Sequence, residues 1–143
     1  MALRCYLPRM ALDDAARAED ELLQLSRRLL DVIASGDWDA YVAICDPSLT
    51  CFEPEARGER VTGLDFHHFY FRERRPAEAA QTTLIEPEVR MLGPDAAAVT
   101  YVRLTQSRDA GGAAGTSRAE ETRIWQRRDG RWKLVHVHRS ANP

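Results

Sequence analysis

The sequence has few cysteines, little net charge and no long apolar run. Its three cysteines, Cys5, Cys45 and Cys51, are odd in number and lack CxxC spacing, which is typical of reduced thiols in a cytoplasmic protein. A formal net charge of −2 gives no overall attraction to nucleic acid or to an acidic membrane surface. Neither a signal peptide nor a membrane span is predicted, because a proline and charged residues interrupt the N-terminal apolar residues.

The sequence also lacks the short motifs of common nucleotide-binding and hydrolytic enzymes. It contains no glycine-rich phosphate loop, no GxSxG and neither of the kinase signatures HRD and DFG. His136 and His138 have a spacing on one strand that binds a metal only if a third ligand arrives from elsewhere. The sequence therefore predicts neither a metal site nor a cofactor. An inert buried thiol is predicted at Cys51, with a reactive thiol as the sharper alternative.

Length and composition predict one domain. A chain of 143 residues, of which 44% are hydrophobic, has the size of an ordinary domain that buries about two-thirds of its unfolded surface. We predict a disordered leader over residues 1–12 and a single domain over residues 13–143. Initiation at Met10 instead of Met1 would remove most of this leader.

The first half of the domain is predicted to be helical. Apolar residues recur at helical spacing over residues 13–34, and Ser35-Gly36 supplies a stop. Asp37 is a plausible N-cap for a second short helix over residues 38–45. An aromatic-rich third helix is predicted over residues 64–72.

The second half is predicted to be β-sheet. Two short strands are predicted over residues 49–61, followed by the four strand-like segments TTLIEPEVRMLG, AAAVTYVRLTQSRD, RAEETRIWQRRDG and RWKLVHVHRS. The pattern indicates an α+β fold, in which a long N-terminal helix and two short helices pack on a strongly curved antiparallel sheet. We also predict dimerisation through the outer sheet face, to which strand alternation assigns Trp132, Leu134, His136 and His138.

Arginines interrupt three of the predicted strands. Arg103, Arg123 and Arg139 stand where uncharged residues are expected, and a buried guanidinium needs acceptors because it keeps its proton. One interpretation is a network neutralised by local carboxylates, for which the candidates are Glu53, Glu55, Glu120 and Glu121. The other is a pocket in which the arginines bind a small carboxylate. Pattern alone favours the network.

An ordered set of motifs resembles a known family. The stretch YVAICDPSLTCFEPEARGERVTGLDFHHFYF, followed by YVRLTQ and TSRAEETRIWQRRDGRWKLVHVHRS, resembles the association (hub) domain of calcium/calmodulin-dependent protein kinase type II. The resemblance runs from about residue 19 to the end of the chain. It departs at His68, where the family commonly has arginine, and over residues 72–80. The chain is little longer than the hub, so we expect a free-standing homologue without kinase activity.

The resemblance implies a fold and a site. It implies the cone of the nuclear transport factor 2-like superfamily, in which a curved sheet cups the long helix. Hub domains form two-tiered rings, so the resemblance implies homodimers or larger rings of this chain. It also implies a cavity similar to one that accepts small carboxylates. Carried over residue by residue, the ligand-binding positions would be Tyr41, His67, Arg103, Arg123 and Arg139.

These observations lead to one main functional hypothesis and one catalytic alternative. The main hypothesis is a homo-oligomerising domain whose arginine-lined cavity binds a small carboxylate, without catalysis and without a nucleic-acid or membrane partner. The alternative is an isomerase, dehydratase or cyclase, because cones of this fold often hold such enzymes. A cavity base, His67 or Glu121, would then perform the chemistry.

Overall fold

Three α-helices and six β-strands make up the computed structural model, which describes residues 11–73 and 80–140. In chain order the elements are α1 Leu12–Ser35, α2 Trp38–Ile44, β1 Cys45–Phe52, a 3₁₀ turn Pro54–Ala56, β2 Val61–Thr62, α3 Asp65–Glu73, β3 Gln81–Met91, β4 Ala96–Arg108, β5 Ala114–Arg128 and β6 Arg131–Arg139. The predicted α+β class is confirmed. Most of the predicted leader, part of the connector before β3 and the last three residues lie outside the described residues.

The two predicted N-terminal helices are present as α1 and α2 and form a helical hairpin. Gly36 ends α1 in the left-handed region, with φ of 73°, and its N–H donates to the carbonyl of Ile33. The Asp37 carboxylate then accepts the N–H of Ala40 at 3.0 Å and caps α2. The hairpin places the apolar stripe of α1 and the buried Tyr41 of α2 against the sheet.

The strands form one mixed sheet in the order β2-β1-β6-β5-β4-β3. Strands β3 to β6 pair antiparallel, as predicted. Strand β1 lies beside β6 and runs parallel to it, so this pairing corrects the prediction of a wholly antiparallel sheet. Side-chain alternation assigns faces of a strand but carries no information about the direction of its neighbour.

One face of the sheet holds the core. All buried residues of the described strands lie on this inner face, where Val99, Trp125 and Leu134 pack in one cluster with Leu22 and Leu29 of α1. Helix α1 contacts β3 and β4, while α2 contacts β1 and β6. The opposite face is called the outer face. Among the described helices, none is long and apolar enough to cross a membrane.

A β-bulge in β6 decides which of its side chains face inward. Trp125 pairs with Leu134 and Ile124 pairs with His136, so the register shifts around Val135. Trp132 and Leu134 are consequently buried on the inner face, with exposed fractions of 4% and 0%. The prediction that these two residues lie on the outer face was wrong. The extra residue of the bulge puts Trp132 and Leu134 on the opposite face from His136, whereas simple alternation assigns all three to the same face. His136 lies on the outer face as predicted.

Candidate functional site

A cavity of about 390 Å³ lies between the inner face and the helices. All five residues predicted to bind a ligand are at its wall. The lining residues are Ile33, Tyr41, Glu53, Glu55, His67, Tyr70, Phe71, Glu73, Arg103, Arg123, Val137 and Arg139. The volume is within the range of pockets that enclose small organic molecules.

The first polar group, which we call the arginine end, consists of Arg103 and Arg123, which line the cavity, and the buried Tyr101 and Glu121 that contact them. Arg123 is 4% exposed and donates to Glu121 Oε2 from Nε at 3.1 Å and from Nη2 at 2.8 Å. The Tyr101 hydroxyl donates to the same oxygen at 2.7 Å and accepts from Arg123 Nε at 2.5 Å. Arg103 Nη1 lies 3.1 Å from Glu121 Oε1. Inward-facing positions on β4 and β5 bring these four side chains together.

The arginine end has more positive than negative charge. Two guanidinium groups share the single carboxylate of Glu121. Burial raises the pKa of Glu121, but the charges of Arg123 and Arg103 outweigh burial and hold it below its usual value. Burial lowers the pKa of Arg103, and the positive charges of Arg123 and Arg139 lower it further. Both guanidiniums keep their protons, so one positive charge at this end has no partner carboxylate within the group.

The second polar group, the acidic end, consists of Cys51, Glu53, Glu55, His67 and Arg139. Arg139 Nη2 contacts Glu55 Oε2 and lies 3.6 Å from Glu53 Oε2. His67 Nε2 lies 3.0 Å from Glu53 Oε1. Two carboxylates therefore flank one guanidinium, which is the reverse of the charge ratio at the arginine end.

Hydrogen bonds orient the His67 ring. Its Nδ1 lies 3.2 Å from the hydroxyl of Tyr41, opposite the nitrogen that meets Glu53. Burial raises the pKa of Glu53, but the hydrogen bond to His67 and the charges of His67 and Arg139 bring it below its usual value. The Glu53 carboxylate is therefore ionised at neutral pH.

Cys51 is the residue of the acidic end that was not predicted to belong to a site. Its Sγ lies 3.5 Å from His67 Nε2, and the residue is 1% exposed. Burial, and then the charge of Glu53, raise the pKa of this thiol to about 12. A protonated thiol is a poor nucleophile, so this environment favours the inert alternative over the reactive one. The sequence signal that could have indicated its place in the site was the i, i+2 spacing of Cys51 and Glu53, which puts both side chains on the same face of an extended segment.

Three of the four carboxylates predicted to neutralise arginines contact them. Glu53 and Glu55 line the cavity, whereas the buried Glu121 pairs with the lining residues Arg103 and Arg123. Glu120 instead lies on the outer face and pairs with Arg118 at 2.9 Å. The neutralised network is therefore present, but its charges are divided unequally between the two ends.

Comparison with known proteins identifies the family. A family model described as the calcium/calmodulin dependent protein kinase II association domain matches residues 18–143. The chain belongs to this family. The resemblance inferred from the ordered motifs is thereby confirmed.

Relatives within the family are similar in sequence and structure. The kinase type II subunit delta of Oryctolagus cuniculus is 44% identical over 133 residues, covering 92% of this chain and 25% of that protein. The chain thus spans about a quarter of the length of this curated relative. The association domain from C. elegans has a TM-score of 0.84 at 43% identity, covering 90% of this chain and 98% of that chain. The hub from S. rosetta has a TM-score of 0.78 at 45% identity, covering 87% and 96%.

The fold extends beyond the association domain family. A nuclear transport factor 2-like superfamily protein from Salmonella enterica has a TM-score of 0.74 at 18% identity, covering 90% of this chain and 94% of that chain. Similarity at this level shows the fold alone. It confirms the predicted nuclear transport factor 2-like class for this association domain.

The lowered pKa of Glu121 predicts a loss of stability in acid. The unfolded chain has an ordinary glutamate pKa near 4.5, and the folded pKa lies below that value. The stabilisation is therefore complete above the unfolded pKa and is lost as the pH falls from there through the folded pKa. Urea denaturation of wild type and Glu121→Gln, from about pH 7 to about pH 3, should show a stability gap that narrows in acid. A gap that stays constant over this range would contradict the assignment.

Proposed function

We propose that this association domain self-assembles and that its cavity binds a small carboxylate at the arginine end. The observation that carries the binding proposal is that Arg103 and Arg123 share the one carboxylate of Glu121. A ligand carboxylate at this point would balance the remaining positive charge. Guanidinium groups bind carboxylates in a forked geometry that a neutral group does not match.

Arg103 is the better placed of the two arginines to contact a ligand. Its side chain is 19% exposed, whereas that of Arg123 is 4% exposed and already donates to Glu121 and Tyr101. Arg123 therefore acts by holding Glu121 in place and by adding positive charge. Arg139, which is engaged by two carboxylates, contributes less to anion binding than the sequence pattern suggested.

The remaining wall of the cavity favours a ligand with an apolar body. Ile33, Tyr70, Phe71 and Val137 line the cavity beside the charged groups. Burial of apolar atoms contributes about 25 cal/mol per Å², so a carboxylate attached to a small ring or aliphatic chain would gain from both parts of the site. The ligand class is therefore a monocarboxylate with a compact apolar group.

Self-assembly is supported by the family and by the outer face. The matched family is named for association, and the S. rosetta relative is called a hub. On the outer face, Phe52 and Ile85 are each 37% exposed, and Val102 and Ile124 are half-buried. A second copy of the chain would cover this apolar area. A cytoplasmic location, which the free thiols of Cys45 and Cys51 favour, belongs to the same proposal.

The catalytic alternative has less support. A general base at neutral pH works best with a pKa near the operating pH, but the pKa of Glu121 is held below its usual value. The same arginines that favour anion binding therefore weaken this carboxylate as a base. A binding role uses the positive charge of the arginine end. The same charge opposes the proton uptake that a general base at Glu121 would have to perform.

Thermal denaturation with a panel of small carboxylates tests the binding proposal. We expect compact apolar carboxylates to raise the Tm of chelator-treated wild type, because a ligand of the native state stabilises it. Arg103→Gln should weaken this binding by about 10-fold to 100-fold, through loss of a charge-assisted contact. The corresponding uncharged amides should give no shift.

Arg118→Gln is the matched control for this experiment. Arg118 is an arginine of the neighbouring strand whose side chain is 46% exposed and pairs with Glu120 outside the cavity. This variant should keep the full carboxylate shift. The proposal fails if no carboxylate raises the Tm of wild type, or if Arg103→Gln responds as wild type does.

A further inference from the structure

The acidic end brings three different metal-ligating side chains to one point. The Sγ of Cys51, a carboxylate oxygen of Glu53 and a ring nitrogen of His67 all lie within 4.8 Å of one another. Glu53 Oε1 and Cys51 Sγ both approach the same nitrogen, Nε2 of His67. A nucleophile activated by a histidine and an acid would instead have its two partners at opposite ring nitrogens.

The distances within this triad fit a tetrahedral zinc ion. With Zn–S near 2.3 Å and Zn–N and Zn–O near 2.0 Å, the sulfur–nitrogen edge is about 3.5 Å and the nitrogen–oxygen edge about 3.3 Å. In the structure, Cys51 Sγ lies 3.5 Å from His67 Nε2, and Nε2 lies 3.0 Å from Glu53 Oε1. Two of the three ligand edges therefore match the required lengths to within a few tenths of an ångström, and the sulfur–oxygen edge is within 4.8 Å.

The charges and the second hydrogen bond of His67 also suit a divalent cation. A thiolate at Cys51 and the carboxylate of Glu53 together balance a charge of two, while Arg139 approaches the other carboxylate oxygen, Oε2. Metal-bound histidines usually have a hydrogen-bond partner at the ring nitrogen that does not bind the metal. The Tyr41 hydroxyl, 3.2 Å from Nδ1, holds that position here.

We propose that Cys51, Glu53 and His67 form a zinc site in the wall of the cavity. Cys51 is buried beneath the site, and Glu53 and His67 line the cavity, so the fourth coordination position faces the cavity. A cation entering from the cavity loses contact with bulk water but gains three protein ligands. Zinc is favoured because one sulfur, one nitrogen and one oxygen ligand suit this borderline cation, whereas Mg²⁺ and Ca²⁺ require oxygen ligands.

Binding requires two proton changes at the triad. The Cys51 thiol must lose its proton, which a coordinated divalent cation brings about directly. His67 donates from Nε2 to the Glu53 carboxylate in the metal-free protein, so on binding it must present an unprotonated Nε2 and carry its proton on Nδ1, from which it donates to the Tyr41 oxygen. The thiol proton is released to solvent, and the ring proton exchanges from Nε2 to Nδ1 through the same solvent, so the proposal involves no redox step and no further reactant.

Titration of the chelator-treated protein with Co²⁺ tests the site. Cys5→Ala is included in all proteins, so that a thiolate signal comes only from Cys45 or Cys51. We expect one equivalent of Co²⁺ to bind with visible absorption typical of tetrahedral cobalt and with a sulfur-to-cobalt charge-transfer band. Zn²⁺ should then displace the cobalt and abolish both signals. Absence of the charge-transfer band in this otherwise native chain would overturn the proposal, whatever the variants do.

Variants assign the thiolate. Cys51→Ala, and the closer isostere Cys51→Ser, should lose the charge-transfer band and bind Co²⁺ at least about 100-fold more weakly. Cys45→Ala is the control, because Cys45 is equally buried, with an exposed fraction of 1%, but lies outside the triad. It should keep the band. A band that persists in Cys51→Ala would overturn the assignment.

Tyr41→Phe tests the second hydrogen bond. This change removes only the oxygen beside His67 Nδ1, and it should weaken Co²⁺ binding by about 10-fold to 100-fold while the charge-transfer band remains at saturation. The carboxylate experiment is performed with chelator present, so the anion site and the metal site are tested separately.

Discussion

Replacement of Glu121 by alanine is expected to lower the free energy of unfolding by about 3–5 kcal/mol, because it leaves a buried charge without its partner. Arg123 is 4% exposed and has Glu121 as its carboxylate partner, and Tyr101 donates its hydroxyl proton to the same oxygen. Loss of the carboxylate therefore affects Arg103, Arg123 and Tyr101 at once. Urea denaturation at one fixed protein concentration measures the change.

The neighbouring residue supplies the control. Glu120→Ala removes an ion pair whose two side chains are 46% and 59% exposed, and such surface pairs contribute about 0–1 kcal/mol. The two variants differ by one position in the chain and by the face of the sheet on which the carboxylate lies. Equal effects would mean that the network around Arg123 is not held together by Glu121.

A double variant with glutamate at two outer-face positions is expected to dissociate the assembly. Phe52→Glu with Ile85→Glu replaces two apolar side chains, each 37% exposed, near opposite edges of the outer face. An interface would cover the exposed third of each side chain, which contributes about 0.5–1 kcal/mol, and burial of each introduced carboxylate costs several kcal/mol more. Together the changes should raise the dissociation constant by at least about 100-fold. Sedimentation velocity at micromolar concentration should show an oligomer for wild type and a smaller species for the variant.

Leu92→Glu distinguishes an interface from a general effect of charge. Leu92 is 58% exposed and lies in the turn between β3 and β4, away from the centre of the outer face. This variant should sediment as wild type does. A monomeric wild type, or an unchanged double variant, would remove the proposal that the outer face mediates assembly.

Local patterns predicted most elements of the fold. The apolar stripe, Gly36 and Asp37 are local signals, because a helix stop and an N-cap depend on residues within one turn. Alternation also accounts for the shared face of Arg103 with Tyr101 and of Arg123 with Trp125, since β4 and β5 pair over these positions without a bulge. These features need no knowledge of distant residues.

Long-range features of the fold could not be predicted from the sequence pattern. The parallel pairing of β1 with β6 joins segments separated by most of the domain, and nothing within either strand specifies its neighbour. The predicted position of Trp132 on the outer face was wrong, because one bulge residue reverses the alternation that the prediction assumed. In both cases, tertiary pairing decided the outcome.

Part of the candidate site was predicted from residue type, and part required the structure. A guanidinium within a strand needs acceptors, and this requirement pointed to Arg103, Arg123 and Arg139 before their positions were known. The division of charge into two ends could not be predicted, because Glu53 and Glu121 are 68 positions apart in the chain. Cys51 was assigned no site, since its nearness to His67 arises only when α3 folds over β1.

The bulge at Val135 makes the length of β6 as important as its composition. The residues before the bulge supply core side chains, and those after it supply Val137 and Arg139 to the cavity. If Val135 took an ordinary ladder position instead of bulging, the last part of the strand would turn inside out, moving the Arg139 guanidinium to the outer face and the ring of His138 into the cavity. One unpaired residue thus separates two opposite arrangements of the same side chains, and a change that drew Val135 into the regular ladder would alter the site more than most substitutions.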